Sequence, residues 1–147
     1  MERMIKVKLQ IDQVAIYVGD RNKAVEDFSK TFSLNEWVED EVESDVFNYN
    51  LAFNYSLLEG GIEFELIENV EGTSYHNELE PPCISHFGIH VDDLEKAIEY
   101  FKINGFEEMQ TVTTQNHSGT DNRYKYTFID TRGLLGCPLK LIKRIDV

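Results

Sequence analysis

The chain has 147 residues, of which 41% are hydrophobic, as expected for one soluble domain of ordinary size. Its 27 acidic and 14 basic residues give a formal net charge of −13, which disfavours nucleic acid and anionic membranes as partners and weakly favours a neutral or cationic ligand. The sequence has no apolar run long enough for a membrane span, no signal-peptide pattern and no disulfide framework, so we expect a cytoplasmic protein.

The first half of the chain alternates between strand and helix patterns in the order βαβββ. Asp20 stands where the N-cap of a helix is expected, and apolar residues recur at helical spacing after it. The predicted helix covers Lys23–Phe32, and the predicted strands cover Leu9–Val18, Leu34–Val42, Phe47–Leu58 and Ile62–Ile67. A polar segment rich in turn residues, Asn69–Pro82, follows as a connector.

The second half repeats this order. Asp92 or Asp93 is expected to cap a helix over Leu94–Asn104, and Gly105 ends it. The predicted strands are Ile84–Val91, Glu107–Thr114, Arg123–Ile129 and Pro138–Lys143, with a loop over Gln115–Asn122 and a turn over Arg132–Gly136.

The two halves are related in sequence as well as in pattern. When residues 11–28 are aligned without a gap to residues 84–101, eight of the eighteen pairs are identical, whereas chance predicts about one. The identical pairs are Ile11/Ile84, Ile16/Ile89, Val18/Val91, Asp20/Asp93, Lys23/Lys96, Ala24/Ala97, Glu26/Glu99 and Phe28/Phe101. The chain therefore contains an internal duplication.

The repeated strands carry polar side chains on one face. In the stretch Cys83–Asp93 the alternation of a strand puts His86, Gly88 and His90 on the face opposite Ile89. The equivalent residues of the first half are Gln13, Ala15 and Tyr17. Cys83 and Cys137 have no metal-binding spacing and are expected to be small apolar side chains, with Cys137 preceding the last strand.

The duplicated βαβββ unit resembles the vicinal oxygen chelate superfamily, which includes glyoxalase, bleomycin-resistance and dioxygenase-type proteins. The stretch S-H-F-G-I-H-V-D-D-L-E-K-A-I-E-Y-F resembles the first strand and helix of its second module, and Y-T-F-I-D-T-R-G followed by L-K-L-I resembles its closing strands. The pattern is most similar to glyoxalase and methylmalonyl-CoA epimerase members.

The resemblance implies an α+β fold in which two tandem βαβββ modules form a curved mixed sheet around a cleft. We expect a single domain over residues 1–147, with module one at about 7–70, a connector at about 70–82 and module two at about 83–145. It also implies a homodimer.

In this family four strand positions usually supply metal ligands, and here they are Gln13, Glu65, His86 and Lys140. A protonated lysine has three donors and no lone pair, so it cannot ligate a metal. We therefore favour a metal-free site in which Lys140 pairs with Glu65. The alternative is a divalent Zn, Ni, Co, Mn or Fe ion held by Gln13, Glu65 and His86.

The resemblance implies a small-molecule site and leaves two functions open. The first is a lyase or isomerase of the glyoxalase or epimerase type that abstracts a proton next to a carbonyl, with Glu65, His86 and Lys140 as catalytic residues. The second is a metal-free binding or resistance protein that sequesters a small ligand, which the acidic charge predicts to be cationic.

The remaining candidates are residues expected to contact the ligand or to line its pocket. The ligand-binding candidates are Gln13, Tyr17, Tyr49, His90 and Tyr126, and the aromatic pocket would add Trp37, Phe53 and Tyr124. His76 and His117 are expected to be exposed loop residues.

Overall fold

The computed structural model describes residues 9–43, 47–54, 61–72, 79–116 and 123–145. Among the described residues, the chain divides into two compact units, 12–85 and 86–145, and residues 9–11 group with the second. The helices and strands are β1 (Gln13–Tyr17), α1 (Arg21–Phe32), β2 (Trp37–Glu43), β3 (Phe47–Asn54), β4 (Glu63–Gly72), β5 (Cys83–His90), α2 (Leu94–Ile103), β6 (Thr113–Asn116), β7 (Arg123–Ile129), α3 (Arg132–Leu135) and β8 (Leu139–Arg144).

The first unit is a four-stranded sheet with α1 on one face. Its strand order is β2-β3-β4-β1, with β1 parallel to β4 and the other neighbours antiparallel. Apolar strand residues that point toward α1 form one core with the apolar side of the helix. This core contains Ile16, Val18, Ala24, Val25, Phe28, Trp37, Ala52 and Leu66.

The second unit repeats this arrangement with different side chains. Its strand order is β5-β8-β7-β6, and β5 is parallel to β8 while β8, β7 and β6 pair antiparallel. The core on the α2 side contains Ile89, Val91, Leu94, Ala97, Ile129, Leu139 and Leu141. The duplication therefore corresponds to two units whose four strands have the same topology, each with one strand face covered by its own helix.

Equivalent aspartates begin the two long helices. The side chain of Asp20 accepts a hydrogen bond from the Lys23 backbone N–H at 3.1 Å, and that of Asp93 accepts one from the Lys96 backbone N–H at 3.0 Å. Each bond satisfies one of the backbone donors that a helix start leaves unpaired. Both predicted caps are confirmed, and Asp93 rather than Asp92 caps α2.

Arg21 anchors α1 to its sheet. Its backbone N–H donates to Glu68 Oε1 at 2.7 Å, and its Nη1 donates to the carbonyl oxygens of Asp40 and Leu51, both at 3.2 Å, and to Glu41 Oε1 at 2.9 Å. The equivalent position of the second unit is Leu94, which lies in the core on the α2 side. At this equivalent position, α1 is thus attached by hydrogen bonds and α2 by apolar packing.

The predicted α+β class and the βαβββ order of both modules are confirmed, but four details were wrong. β1 begins at Gln13 rather than Leu9, and β4 continues to Gly72, into the predicted connector. The predicted strand Glu107–Thr114 is instead an isolated bridge from Glu108 to Ile129 followed by β6. The turn predicted after Asp130 contains the short helix α3. None of the described helices is long and apolar enough to cross a membrane.

Candidate functional site

In the first unit, buried polar side chains lie on the sheet face opposite α1. Gln13, Glu63 and Glu65 are each at most 3% exposed, and Gln13 Nε2 donates to Glu63 Oε2 at 3.2 Å. The sheet register places Glu65 between Ala15 on β1 and Phe53 on β3. Because buried carboxylates are uncommon in a core, this group is a candidate for function.

In the second unit, Lys140 occupies the face opposite α2. Its side chain is 4% exposed, and the register places it between Gly88 on β5 and Phe128 on β7. Its Nζ lies 4.7 Å from the ring centroid of Tyr126, 5.4 Å from that of Tyr124 and 6.0 Å from that of Phe128. These distances are within the range of cation–π attraction, so three rings hold the ammonium at one place.

His86 extends this aromatic group. Its imidazole is 2% exposed and lies edge-on to the Phe128 ring, with the two ring centroids 5.0 Å apart. The Phe128 and Tyr126 centroids are 5.9 Å apart, and those of Tyr126 and Tyr124 are 5.8 Å apart. The four rings form a row, which we call the aromatic row: His86, Phe128, Tyr126 and Tyr124.

The register makes Glu65 and Lys140 equivalent residues of the two units. Glu65 lies between a small residue and a phenylalanine, Ala15 and Phe53, and Lys140 lies between the corresponding pair, Gly88 and Phe128. The next row is equivalent as well, because it pairs Tyr17 with Ile67 and His90 with Ile142. The duplication has therefore kept the surroundings and reversed the charge at this position.

The residues described do not fit a divalent metal ion at the position of Lys140. The ammonium offers no lone pair, and it lies over aromatic rings. Within the described ranges, no group of three or more His, Cys, Asp or Glu side chains is arranged to hold a metal. Pairing of Lys140 with Glu65, and a cleft shared by the two modules, remain predictions.

Within each unit, the structure shows what the predicted pocket residues contact. Tyr124 and Tyr126 lie with Lys140, whereas Tyr49 and Phe53 pack in an apolar cluster with Ala15, Leu51 and Ile67. His90 and Tyr17 are partly exposed. His90 lies on the same face as Lys140, and Tyr17 lies on the same face as Glu65.

The prediction for Trp37 is wrong, and those for two histidines lie outside the described residues. Trp37 packs on the α1 side, edge-on to Phe28, and its Nε1 donates to Ser29 Oγ at 2.8 Å. This places it on the sheet face opposite Glu65. His76 and His117 fall in segments that the structure does not describe.

Two residues of the site were not selected from the sequence. Phe128 contacts both His86 and Lys140, and its alternation with Tyr124 and Tyr126 along β7 was the available signal. Alternation along β4 puts Glu63 on the same face as Glu65, but its hydrogen bond to Gln13 joins residues 50 positions apart in the chain. Strand periodicity predicts the sheet face on which a side chain lies. It does not predict which distant residue that side chain contacts.

The segment that leads into β8 is held by side-chain and backbone hydrogen bonds. Thr131 Oγ1 donates to the Cys137 carbonyl oxygen at 2.8 Å, and burial raises the pKa of the Cys137 thiol. The guanidinium of Arg132 donates to Asp130 at 2.8 Å and holds the pKa of that exposed carboxyl below its usual value. The buried thiol thus remains protonated at neutral pH, in agreement with its predicted apolar role.

Three solved structures illustrate the fold relationship. Methylmalonyl-CoA epimerase from Mycobacterium tuberculosis is 17% identical with a TM-score of 0.63, over 90% of this chain and 86% of that one. A methylmalonyl-CoA epimerase in complex with methylmalonyl-CoA and NH4+ is 15% identical with a TM-score of 0.71, over 92% of this chain and 94% of that one. A mutant 4-hydroxymandelate synthase from Streptomyces coelicolor is 18% identical with a TM-score of 0.70, over 92% of this chain and 48% of that one.

At these identities the likeness establishes the fold and leaves the activity open. No curated protein matches the chain. A family model does match, over residues 12–126, which is more than half of the sequence and includes strands of both units. By its repeated topology and this match, the chain belongs to the Glyoxalase/Bleomycin resistance protein/Dioxygenase superfamily.

Proposed function

We propose that this protein is an isomerase or lyase that removes a proton from the carbon next to the carbonyl group of a small oxygenated substrate. The observation that carries the proposal is the pair of buried, oppositely charged residues at equivalent register positions, Glu65 and Lys140. A carboxylate is a suitable base for such a proton, and an ammonium is a suitable electrophile for the oxygen that becomes negatively charged.

The reaction would begin with one proton transfer and end either with a second one or with the loss of a leaving group. The Glu65 carboxylate takes the proton from carbon, the C–H electron pair forms an enolate, and the Lys140 ammonium donates hydrogen bonds to the enolate oxygen. Return of a proton to carbon completes an isomerisation, whereas loss of a leaving group completes an elimination. Each role uses a side chain already present, and the Lys140 charge takes the part that a metal ion plays in metal-dependent relatives.

The other predicted site residues would position the substrate. His86 lies at one end of the aromatic row and would serve as an acid–base partner or as a hydrogen-bond donor to substrate oxygen. Gln13, Tyr17, Tyr49, His90 and Tyr126 would contact the ligand. One solved structure similar to this chain is an epimerase in complex with methylmalonyl-CoA and NH4+. It motivates the role proposed for Lys140, because the charged group of the lysine is also an ammonium.

Exchange of carbon-bound protons with solvent tests this proposal. We expect the protein to catalyse the incorporation of deuterium from D2O into methylmalonyl-CoA, or into a related compound with a proton on the carbon next to a carbonyl group. NMR measures this exchange, which should continue in the presence of EDTA. Glu65→Gln and Lys140→Met should each lower the rate by about 10²–10⁴-fold, because each removes one catalytic group with only a small change in side-chain size.

The control removes a carboxylate outside the site. Glu95→Gln, on the exposed side of α2, should leave the exchange rate unchanged. If Glu65 and Lys140 act in one reaction, the double variant should lose about as much as the more damaging single variant rather than the product of the two losses. Exchange that persists at the wild-type rate in Glu65→Gln would contradict the proposal.

A second candidate, a non-catalytic binding or resistance protein, is favoured by the aromatic row. Aromatic side chains are common in the lining of small-molecule sites. Binding without any proton exchange across a panel of carbonyl compounds would support this candidate. The ligand that it predicts from the net charge of −13 is cationic, and its affinity should fall as salt is added.

A further inference from the structure

The starts of α1 and α2 are attached to their own strands in the same way. The Val18 backbone N–H donates to the Ile67 carbonyl oxygen at 2.8 Å, and that of the equivalent Val91 donates to the Ile142 carbonyl oxygen, also at 2.8 Å. The N-cap aspartates that follow have similar backbone angles, φ −147° and ψ 109° in the first unit and φ −130° and ψ 102° in the second. The first backbone N–H of each helix therefore lies at an equivalent place in its unit.

In the first unit a carboxylate binds this N–H. Glu68 Oε1 accepts a hydrogen bond from the Arg21 backbone N–H at 2.7 Å, and Glu68 Oε2 accepts one from Asn50 Nδ2 at 3.3 Å. Asn50 is the residue directly opposite Glu68 on β3. The carboxylate at the start of α1 is thus held by one helix N–H and one cross-strand side-chain donor, and the positive end of the helix dipole attracts it as well.

In the second unit the donors are retained and the acceptor is replaced. The register makes Lys143 on β8 the equivalent of Glu68, and Lys125, directly opposite on β7, takes the place of the amide donor. Leu94 is the equivalent of Arg21, and within the described ranges its backbone N–H has no acceptor. The place that holds a carboxylate in the first unit therefore has one backbone donor and two ammonium groups around it in the second.

The two lysines lie close to each other and to the start of α2. Lys143 Nζ donates to the Asp92 carbonyl oxygen at 2.7 Å, two residues before Leu94. Lys125 is exposed, and it forms no ion pair with any residue that the structure describes. Because like charges directly opposite each other on neighbouring strands are destabilising, an anion between the two lysines would relieve their repulsion.

The negative charge of the protein lies mostly in the other unit. Residues 12–85 contain 17 acidic and 3 basic side chains, whereas residues 86–147 contain 9 acidic and 8 basic ones. Asp92, Asp93 and Glu95 are the acidic residues at the start of α2, and the Asp93 carboxylate is already bound as the helix cap. These carboxylates reduce the attraction of an anion without reversing the local arrangement of donors, so we expect a weak site with a dissociation constant in the millimolar range.

We propose that the start of α2 binds a small oxyanion, a phosphate or carboxylate group, which accepts a hydrogen bond from the Leu94 N–H and lies between Lys125 and Lys143. The anion would take the place that the Glu68 carboxylate occupies in the first unit. That occupied equivalent distinguishes this helix start from others, because it shows a carboxylate bound to the corresponding donors. The site lies on the face that carries α2, opposite Lys140, so it does not depend on the proposed reaction.

An NMR titration that resolves single backbone amides tests the site. Inorganic phosphate and acetate are added to isotope-labelled protein at neutral pH, and sodium chloride at matched ionic strength is the reference. We expect phosphate to cause a saturable downfield shift of the Leu94 amide proton and acetate to cause a smaller one, because a hydrogen bond to an anion deshields the donor proton. The Arg21 amide, which already donates to Glu68, should not shift.

Matched variants locate the binding. Lys125→Met combined with Lys143→Met should weaken phosphate binding by about tenfold or more, because both ammonium groups are removed. The control, Lys30→Met combined with Lys102→Met, removes two exposed lysines from the last turns of α1 and α2 and should leave the affinity nearly unchanged. Both pairs change the net charge equally. Lys125→Met alone affects an exposed side chain and should weaken binding without loss of folding.

A single charge reversal supplies the anion within the chain. Lys143→Glu gives the second unit the carboxylate that Glu68 provides in the first. In this variant the Leu94 amide should shift downfield without any added ligand, and added phosphate should cause no further saturable shift. The melting temperature of the variant shows whether it is folded under the conditions of the titration.

Four results would overturn the inference. They are no saturable shift of the Leu94 amide in wild-type protein, an equal shift with sodium chloride, phosphate binding that survives Lys125→Met with Lys143→Met, or binding by Lys143→Glu at the wild-type affinity. These titrations involve no turnover, and none of the substituted residues belongs to the proposed catalytic site. Their outcome is therefore independent of whether the protein catalyses proton exchange.

Discussion

At the scale of single residues, the most informative feature is a lysine where the duplication predicts a counterpart of Glu65. Burying an ammonium is costly unless its charge is compensated. Each cation–π contact contributes about 0.5–2 kcal/mol, so the rings of Tyr124, Tyr126 and Phe128 explain part of how β8 accommodates Lys140. The aromatic residues of β7 thus stabilise the charge that the proposed chemistry needs.

A double-mutant cycle should detect the contact between Lys140 and Tyr126. The Tyr126 ring is the nearest of the three, so Lys140→Met combined with Tyr126→Leu should show a coupling of about 1 kcal/mol in the free energy of unfolding. Tyr126→Phe keeps the ring face and should leave the coupling largely intact. The measurement is urea denaturation of the four proteins.

The control cycle uses a ring that packs elsewhere. Tyr100 on α2 contacts Phe101 with the ring centroids 5.4 Å apart, so Tyr100→Leu should show no coupling to Lys140→Met. A coupling for Tyr126 no larger than the one for Tyr100 would mean that the ring does not stabilise the ammonium.

At the scale of helices and strands, the duplication preserved local signals more faithfully than contacts. Asp20 and Asp93 cap α1 and α2 with nearly equal hydrogen bonds, and a lysine supplies the backbone donor in both cases. The contacts that follow differ, since Arg21 binds sheet carbonyls and Leu94 enters an apolar core. The start of each helix is therefore encoded locally, whereas its attachment is specific to the unit.

Removal of either cap should destabilise the protein by similar amounts. Asp20→Ala and Asp93→Ala should each lower the free energy of unfolding by about 1 kcal/mol, because one helix N–H loses its acceptor. Asp20→Asn and Asp93→Asn retain a side-chain acceptor and should cost much less. Denaturation midpoints of the four variants test this, and an equal loss for Ala and Asn would indicate that the hydrogen bond is not the cause.

At the scale of the whole molecule, the excess of negative charge should limit stability at low ionic strength. A net charge of −13 on 147 residues produces self-repulsion that the compact state concentrates. Because surface charges are screened by salt, the strength of this repulsion depends on the ionic strength. The stabilisation by the apolar cores around α1 and α2 does not depend on this screening.

Added salt should therefore raise the melting temperature. Between about 0.02 M and about 0.2 M NaCl we expect a rise of a few degrees at neutral pH, measured by differential scanning fluorimetry. Close to the sequence isoelectric point of about 4.6 the same salt step should have little effect, because the net charge is small there. A melting temperature that falls with NaCl at neutral pH would contradict this account.

The sequence alone was sufficient for the architecture because the relevant signals are local. Strand alternation, helix periodicity and the caps each depend on near neighbours in the chain, so they predicted the βαβββ order, which the repeat at residues 11–28 and 84–101 doubled. The α+β class followed from the family that this repeated order resembles. The same alternation predicted that His86, Gly88 and His90 share one strand face and that Gln13, Ala15 and Tyr17 are their equivalents. Errors occurred where pattern was weak, as at Glu107–Thr114, where Glu108 forms an isolated bridge.

Only the tertiary structure decided what surrounds those side chains. The register across strands determined that Lys140 lies between Gly88 and Phe128, that three rings hold its ammonium, and that Trp37 belongs to the α1 side. These contacts join residues far apart in sequence, so the sequence around each residue does not predict them. The sequence by itself thus determined the fold and the position of a charged residue, and the packing of distant strands decided the environment in which that charge acts.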